Sequence, residues 1–242
     1  MATLYLTLGA GGSIWNGRPN INDGAPELYK EFPLSYQTIY DATHLYAVAH
    51  NNITDQNAVS SATNFVALAA GRYLDSHGTH KGVIYASNRY ENEISSWTHQ
   101  LSTADAINGI AYGDGQWVGV GSNNSVVYSN NAHDWTTSTG AISNADWTWV
   151  IAAYEPTGWR FVAVGSTVTP DPRGPAYPDI ETGVIMFSDN GGVTWEKGAS
   201  GANAKLQSIA YSPELNVYVA VGNTTVDANG ATIPTILSVK GR

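Results

Sequence analysis

Gly183 to Ser200 reads GVIMFSDNGGVTWEKGAS, and much of the remaining chain reads as variations on this stretch. An apolar run, Val184-Ile185-Met186-Phe187, gives way to the polar turn Ser188-Asp189-Asn190-Gly191-Gly192. Extended structure resumes at Val193-Thr194-Trp195-Glu196. A β-rich run, a Gly-Gly turn and a second run ending in Trp predict a β-hairpin. The short side chains of Ser188, Asp189 and Asn190 can hydrogen-bond their own backbone, and the glycines take the positive φ angles of the turn. Thr194 and Trp195 add bulk that clamps the hairpin from one face.

Working outward, three segments align with the region before that hairpin. Ile110-Ala111-Tyr112 leads to Trp117–Gly121 (WVGVG), Ile151-Ala152-Ala153 to Phe161–Gly165 (FVAVG), and Ile209-Ala210-Tyr211 to Tyr218–Gly222 (YVAVG). Each is an apolar strand, a short turn, then aromatic-Val-small-Val-Gly. The small central residue, Gly119, Ala163 or Ala220, predicts a strand with little room on one face. A third apolar run follows in each copy, at Val126–Tyr128, Val184–Phe187 and Thr235–Val239, and a Trp-bearing run closes the first two copies at Trp135 and Trp195. A fainter unit runs through Phe65–Leu68, Val83–Tyr85 and Ser95–Thr98. Tyr46–Ala49 reads as one more second strand, and Leu4–Leu8 with Ser13–Trp15 read as second and third strands lacking a first.

The unit is four short antiparallel strands, and the glycines Gly121, Gly165 and Gly222 recur at steps of 44 and 57 residues. Four-stranded units at such a period are the signature of β-propeller blades. The chain is therefore expected to be all-β, a single β-propeller domain over residues 1–242 with about five four-stranded antiparallel blades. The same runs leave four or six blades open. The last unit stops after its third strand, so an N-terminal strand completing it would close the ring and hide both sheet edges.

The turn at Ser188 resembles the Asp-box (BNR) repeat, Ser-x-Asp-x-Gly-x-Thr-Trp. Ser188, Gly192, Thr194 and Trp195 match, and Asn190 stands where the Asp usually does. The resemblance implies a sialidase-like propeller fold in which these five residues are structural. It does not extend to the sialidase catalytic motifs. The arginines are Arg18, Arg72, Arg89, Arg160, Arg173 and Arg242, and none sits in an N-terminal Arg-Ile-Pro; Gly17-Arg18-Pro19 is the nearest approach.

Composition supports an all-β chain. At 43% hydrophobic and 13% charged, with 25 Gly, 14 Tyr and 8 Trp, it lacks the Ala/Leu/Glu/Lys stripes of helices. The net charge of −9 with scattered basic residues argues against a nucleic-acid partner and an anionic membrane surface. No apolar run reaches the roughly 20 residues of a membrane span. MATLYLTLGAGG has no basic region before its apolar residues and reads as a strand, not a secretory signal. Without cysteine there is no disulfide, thiolate metal site or Cys nucleophile. The compartment stays open between cytoplasm, virion and export.

Catalytic and metal-binding candidates are sparse. Asp171, Asp179 and Glu181, with Asp75, are carboxylates on Pro- and Gly-rich insertions, read as solvated loop residues. Asp75, His77 and His80 form Asp-x-His-x-x-His within one loop, and Val226–Gly230 resembles part of a calcium loop; both read as plain turns. No metal or cofactor is expected. The insertions 50–61, 73–80, 166–182 and 223–233 hold much of the polarity, and at least three follow a second strand, which places them on one rim. Trp15, Trp97, Trp135 and Trp195 read as hairpin clamps, and Trp117 as core. Trp147 and Trp159, with Asp171, Arg173, Tyr177 and Asp179 of the long insertion, are the candidate ligand-binding residues, because aromatic rings beside short polar side chains hold sugars. The sequence thus predicts a non-enzymatic, lectin-like recognition module whose partners are glycans or a protein in a larger assembly, and it permits an oligomer. The alternative is a structural, decoration or host-attachment (tail) protein of a virus or phage particle. A divergent sialidase-like glycoside hydrolase ranks third.

Overall fold

A computed structural model describes residues 5–9, 13–17, 36–38, 44–51, 65–90, 93–198, 202–226 and 229–242. Among them there is no helix, and the strands form five antiparallel sheets taken in chain order. The first sheet holds β1 (Tyr5–Gly9), β2 (Ser13–Gly17) and β3 (Tyr36–Thr38). The second holds β4 (His44–His50), β5 (Phe65–Leu74), β6 (His80–Tyr90) and β7 (Glu93–Thr103). The third holds β8 (Ile107–Gly113), β9 (Gln116–Gly121), β10 (Val126–Ser129) and β11 (Thr136–Thr137). The fourth holds β12 (Ala145–Glu155), β13 (Gly158–Thr169), β14 (Ile180–Ser188) and β15 (Glu196–Lys197). The fifth holds β16 (Leu206–Ser212), β17 (Val217–Val226) and β18 (Thr232–Lys240).

Each sheet is a meander whose strands pair in chain order, as tight turns dictate. Asp114 and Gly115 join β8 to β9 with φ of 49° and 73°, the two positive angles of a hairpin turn that matches strand twist. The first strands lie side by side, β1 by β4, β4 by β8, β8 by β12 and β12 by β16. Apolar side chains fill the spaces between successive sheets, giving a β-propeller-like arrangement.

The repeated glycine has a specific cause. Gly71, Gly121, Gly165 and Gly222 occupy one equivalent position, and a Cβ there would run into the carbonyl of His44, Ala106, Asp146 or Lys205, at the start of the paired first strand. Beside each glycine the first strand carries one extra residue: Tyr46, Asn108, Thr148 or Gln207. These are β-bulges, which leave one residue without a cross-strand partner and bend the strand. Close approach at the glycine and the bulge opposite it form one repeated device.

Two assignments change. Tyr46–Ala49 is part of β4, the first strand of its sheet, not a second strand, so the insertion expected after a second strand instead begins at the end of a first. Its residues 52–61 lie outside the described residues, as does Leu4. The N-terminal strand expected to complete the last sheet instead heads its own sheet: β1 pairs with β2, and the fifth sheet has three strands among the described residues.

Candidate functional site

The β12–β13 hairpin has two different faces. Its turn is Glu155-Pro156-Thr157-Gly158, with Gly158 at φ 123°, a conformation a side chain would strain. Next to the turn Tyr154 stands opposite Trp159, their rings 5.4 Å apart and 66° to each other, an edge-to-face pair. Both are open to solvent, at 65% and 38%. Trp159 is nevertheless seated: its ring lies over Gly113 of β8, where a Cβ would come within 2.9 Å, and next to Ala152. Gly113 thereby makes room for an indole that is held on one side and wet on the other.

The opposite face of this hairpin is an ionic anchor. Glu155 is completely buried and accepts a 2.7 Å hydrogen bond from the Tyr218 hydroxyl of β17. Arg160 lies 3.6 Å from Glu155 and donates to both oxygens of Asp189, at 2.8 and 3.2 Å. Arg242 grips Asp189 from its other side with two 2.6 Å bonds and reaches Glu155 at 3.4 Å. Two carboxylates are thus matched by two guanidiniums, the arrangement that makes burial of such charges tolerable. Burial first, then the bond to Glu155, pushes the Tyr218 phenol well above its ordinary range. Burial works against the Arg160 charge, but the bond to Asp189 and the nearby Glu155 outweigh it, so the guanidinium holds its proton more firmly than usual. The cluster ties the fourth sheet to the fifth, with both of its carboxylates paired to guanidinium groups.

Asp189 belongs to the turn singled out in the sequence. Ser188 Oγ accepts from the Gly192 N–H at 2.9 Å and donates to Asn190 Oδ1, which also accepts from the Thr194 N–H at 2.9 Å. Asn190 Nδ2 donates to Thr194 Oγ1, and the Trp195 indole N–H caps the Gly192 carbonyl at 3.1 Å. A second turn repeats this pattern from a sequence that scarcely suggests it. At Ser129-Asn130-Asn131-Ala132-His133-Asp134-Trp135, Ser129 Oγ donates to Asn131 Oδ1, and Trp135 caps the Ala132 carbonyl at 3.2 Å. Ala132 takes φ of 60° in the role of Gly192. The loop is one residue shorter, which is why pattern matching passes over it.

The candidate ligand residues do not converge. Trp147 is fully buried, opposite Gly165, with its indole N–H on Asn124 Oδ1 at 3.2 Å. Its burial comes from the cluster between the third and fourth sheets, where it packs with Val118, Val120 and Val126; Trp147 is core and not a rim residue. Asp171, Arg173, Tyr177 and Asp179 sit on the 170–179 connection, beyond the far end of β13 from Trp159. At about 3.3 Å per residue, the run of β13 from Trp159 to its end at Thr169 separates the two groups by roughly 33 Å. Within the connection Asp171 accepts from Arg173 Nη2 at 2.7 Å, Nε at 3.0 Å and its backbone N–H at 2.8 Å. These bonds hold the Asp171 carboxyl below the usual range. The Arg173 guanidinium stacks on Tyr177 at 4.1 Å. This is a self-contained loop brace, and Tyr177 and Asp179 are exposed beside it.

Asp75 is a turn residue, its Oδ1 accepting from the N–H groups of His77 and Thr79. Glu181 accepts from Ser166. No group of three or more metal-ligating side chains exists among the described residues. The residue that sequence reading missed is Tyr154, hidden inside an apolar-looking strand and exposed only because the hairpin projects.

No family model matches the chain, and no curated protein matches it. Among solved structures it is similar to Sqt1 from Chaetomium thermophilum, at 12% identity and a TM-score of 0.47 over 75% of this chain. That match spans 41% of the Sqt1 chain.

Proposed function

We propose that the protein is a glycan-binding, lectin-like module on a β-propeller of about five blades, with turns of the Asp-box type stapling the outer strands. One observation carries this reading: the exposed Tyr154–Trp159 pair, held in place by Gly113 from below and by the buried Glu155 anchor behind. A sugar offers C–H faces for stacking and hydroxyls for hydrogen bonds, and a fixed, half-exposed indole offers the stacking surface with little ordering cost. Asp114 and Thr157, exposed on the two adjoining turns, are the polar groups within the same rim. The site moves from the long insertion to the opposite rim. A single shallow platform of this kind gives weak binding, on the order of millimolar, about 4 kcal/mol.

A glycan array on the purified chain, with and without calcium, tests the reading. Saturable binding to a defined sugar class, abolished in Trp159→Ala and weakened in Tyr154→Ala, is the expected result. A blank array with folded protein overturns it.

A second reading has its own observation. The β5–β6, β13–β14 and β17–β18 hairpins run past the repeated glycine and carry Leu74, Val168, Ile180, Val226 and Ile233 exposed on their arms. Apolar arms on one rim suit docking into a larger assembly, the structural or attachment role in a virus or phage particle.

A further inference from the structure

Each sheet has a forward face, turned toward the next sheet, and the forward faces are built from the same three positions. They are the residues one and three before the repeated glycine and the third-strand residue opposite the first of these. In the second sheet they are Ala70, Leu68 and Ile84, covered by Ile107, Ile110 and Trp117 of the third. In the third sheet they are Val120, Val118 and Val126, covered by Trp147 and Phe161 of the fourth. In the fourth they are Val164, Val162 and Ile185, covered by Leu206, Ile209 and Tyr218 of the fifth. All nine are at most 1% exposed. The fifth sheet has the same apolar triplet, Val221, Val219 and Ile236, and there the exposures are 43%, 42% and 64%.

The bulge residues of the third and fourth sheets follow the same rule, whereas Tyr46 of the second is 37% exposed beneath Arg72 of its own sheet. Asn108 Nδ2 crosses to the Trp147 carbonyl of the following sheet at 2.8 Å, and Thr148 Oγ1 crosses to the equivalent Leu206 carbonyl at 2.6 Å. Gln207, at the next equivalent position, is exposed and donates to Asn223 of its own sheet. The last sheet therefore carries an apolar triplet where the three sheets before it meet a neighbour, and a side-chain amide where the third and fourth sheets bond to one.

We infer that this forward face of the fifth sheet is a docking surface whose occupant is the chain's own first sheet, β1–β3. Each of the three interfaces from the second sheet to the fifth pairs the forward face of one sheet with the rear face of the next. The first sheet lies beside the second through β1 and β4, so its rear face is the one rear face without a preceding sheet. One forward face and one rear face remain, and both belong to the same chain. Joining them within one molecule benefits from an effective concentration in the millimolar range. The same head-to-tail joint between molecules does not close on a dimer and would grow as a fibre. Closure thus runs face to face through Val219, Val221, Ile236 and Gln207, without exchange of a terminal strand. This inference rests on the ring reading above and is independent of the glycan reading.

The absence of cysteine makes a clean test. Val221→Cys and Ile236→Cys in the full chain are exposed to a thiol-reactive maleimide over a wide range of protein concentrations, with Val226→Cys on the projecting arm as the open reference. The expected result is reaction at least about tenfold slower than at residue 226 and independent of concentration, because a covered face opens only as a minor state. Reaction as fast as at residue 226 overturns the inference. So does protection that disappears on dilution, which assigns the face to a second copy. Val221→Glu gives an independent reading: a marked loss of thermal stability in a monomer is expected, and unchanged stability overturns the inference. Neither outcome depends on whether a glycan binds.

Discussion

The turns at 129–135 and 188–195 close the outer strands of neighbouring sheets with closely matching hydrogen bonds, yet one is a residue shorter and the other sends a carboxylate, Asp189, into the anchor around Glu155. Both use a buried serine, an asparagine two residues on, a residue with positive φ, and an indole over that residue's carbonyl. What they share is the set of backbone groups to be satisfied, and the spacing can slip by one as long as those groups find partners. They differ in surroundings. Trp195 is buried in the cluster between the third and fourth sheets, whereas Trp135 is only half buried. Gly192 sits against Val118 and Tyr128, while Asp189 reaches the anchor around Glu155; the matching Asn130 has no charge to offer.

The largest effect that separates the two turns is loss of the indole. Trp195→Ala is expected to cost about 3–5 kcal/mol, the range for a buried large-to-small change, and Trp135→Ala less than half of that. Urea unfolding of the two variants checks this, and equal losses would break the distinction in burial. Next comes the positive-φ position. Gly192→Ala puts a Cβ within 2.6 Å of a Val118 methyl at φ of 86°, so a loss of about 1–3 kcal/mol is expected. Ala132→Gly relieves a left-handed alanine but gives up a buried methyl and adds freedom to the unfolded chain, and the result is expected within about 1 kcal/mol of zero. Melting temperatures measured side by side decide it.

The smallest and most selective effect is in pH. Tyr218 keeps its proton in the folded chain far above the ordinary phenol value, whereas the unfolded chain releases it near pH 10. A raised folded value means that the contribution is fully present below about pH 10 and is lost as pH rises further, by about 1.4 kcal/mol per pH unit. Tyr218→Phe is expected to be less stable at neutral pH and to show a shallower loss above pH 10. Stability curves at several alkaline pH values give both numbers, and an unchanged slope would detach Tyr218 from the anchor.

The strands were legible because their causes are local. Aromatic-Val-small-Val-Gly alternates with period two, and the turns Asp114-Gly115 and Ser188–Gly192 carry their own conformational demands. The runs at Phe161–Gly165 and Tyr218–Gly222 became strands in the expected register order. Tyr46–Ala49 misled because a first strand and a second strand look alike when both are apolar; only pairing to Gly71 separates them. Trp147 misled for a related reason. Its polar neighbours, Asn144 and Asp146, suggest a rim, whereas its indole is buried with Val118, Val120 and Val126 of the preceding sheet, residues distant in the chain.

The candidate site was only half readable. Trp159 could be suspected from its place in a turn, but its partner Tyr154 and its seat on Gly113 come from two sheets meeting. Asp171 and Arg173 looked like ligand groups and proved to satisfy each other.

The sequence by itself determined the period, the strand-turn-strand order and the all-β character, because alternation and turn chemistry act over a few residues. Tertiary structure alone decided which glycine meets which carbonyl, that Glu155, Arg160, Asp189 and Arg242 form one anchor, and that three apolar triplets are covered by the sheet that follows in the chain while the fourth has no following sheet. Those outcomes depend on contacts between residues tens of positions apart, whose relative placement follows from how whole sheets stack and not from the residues on either side of each.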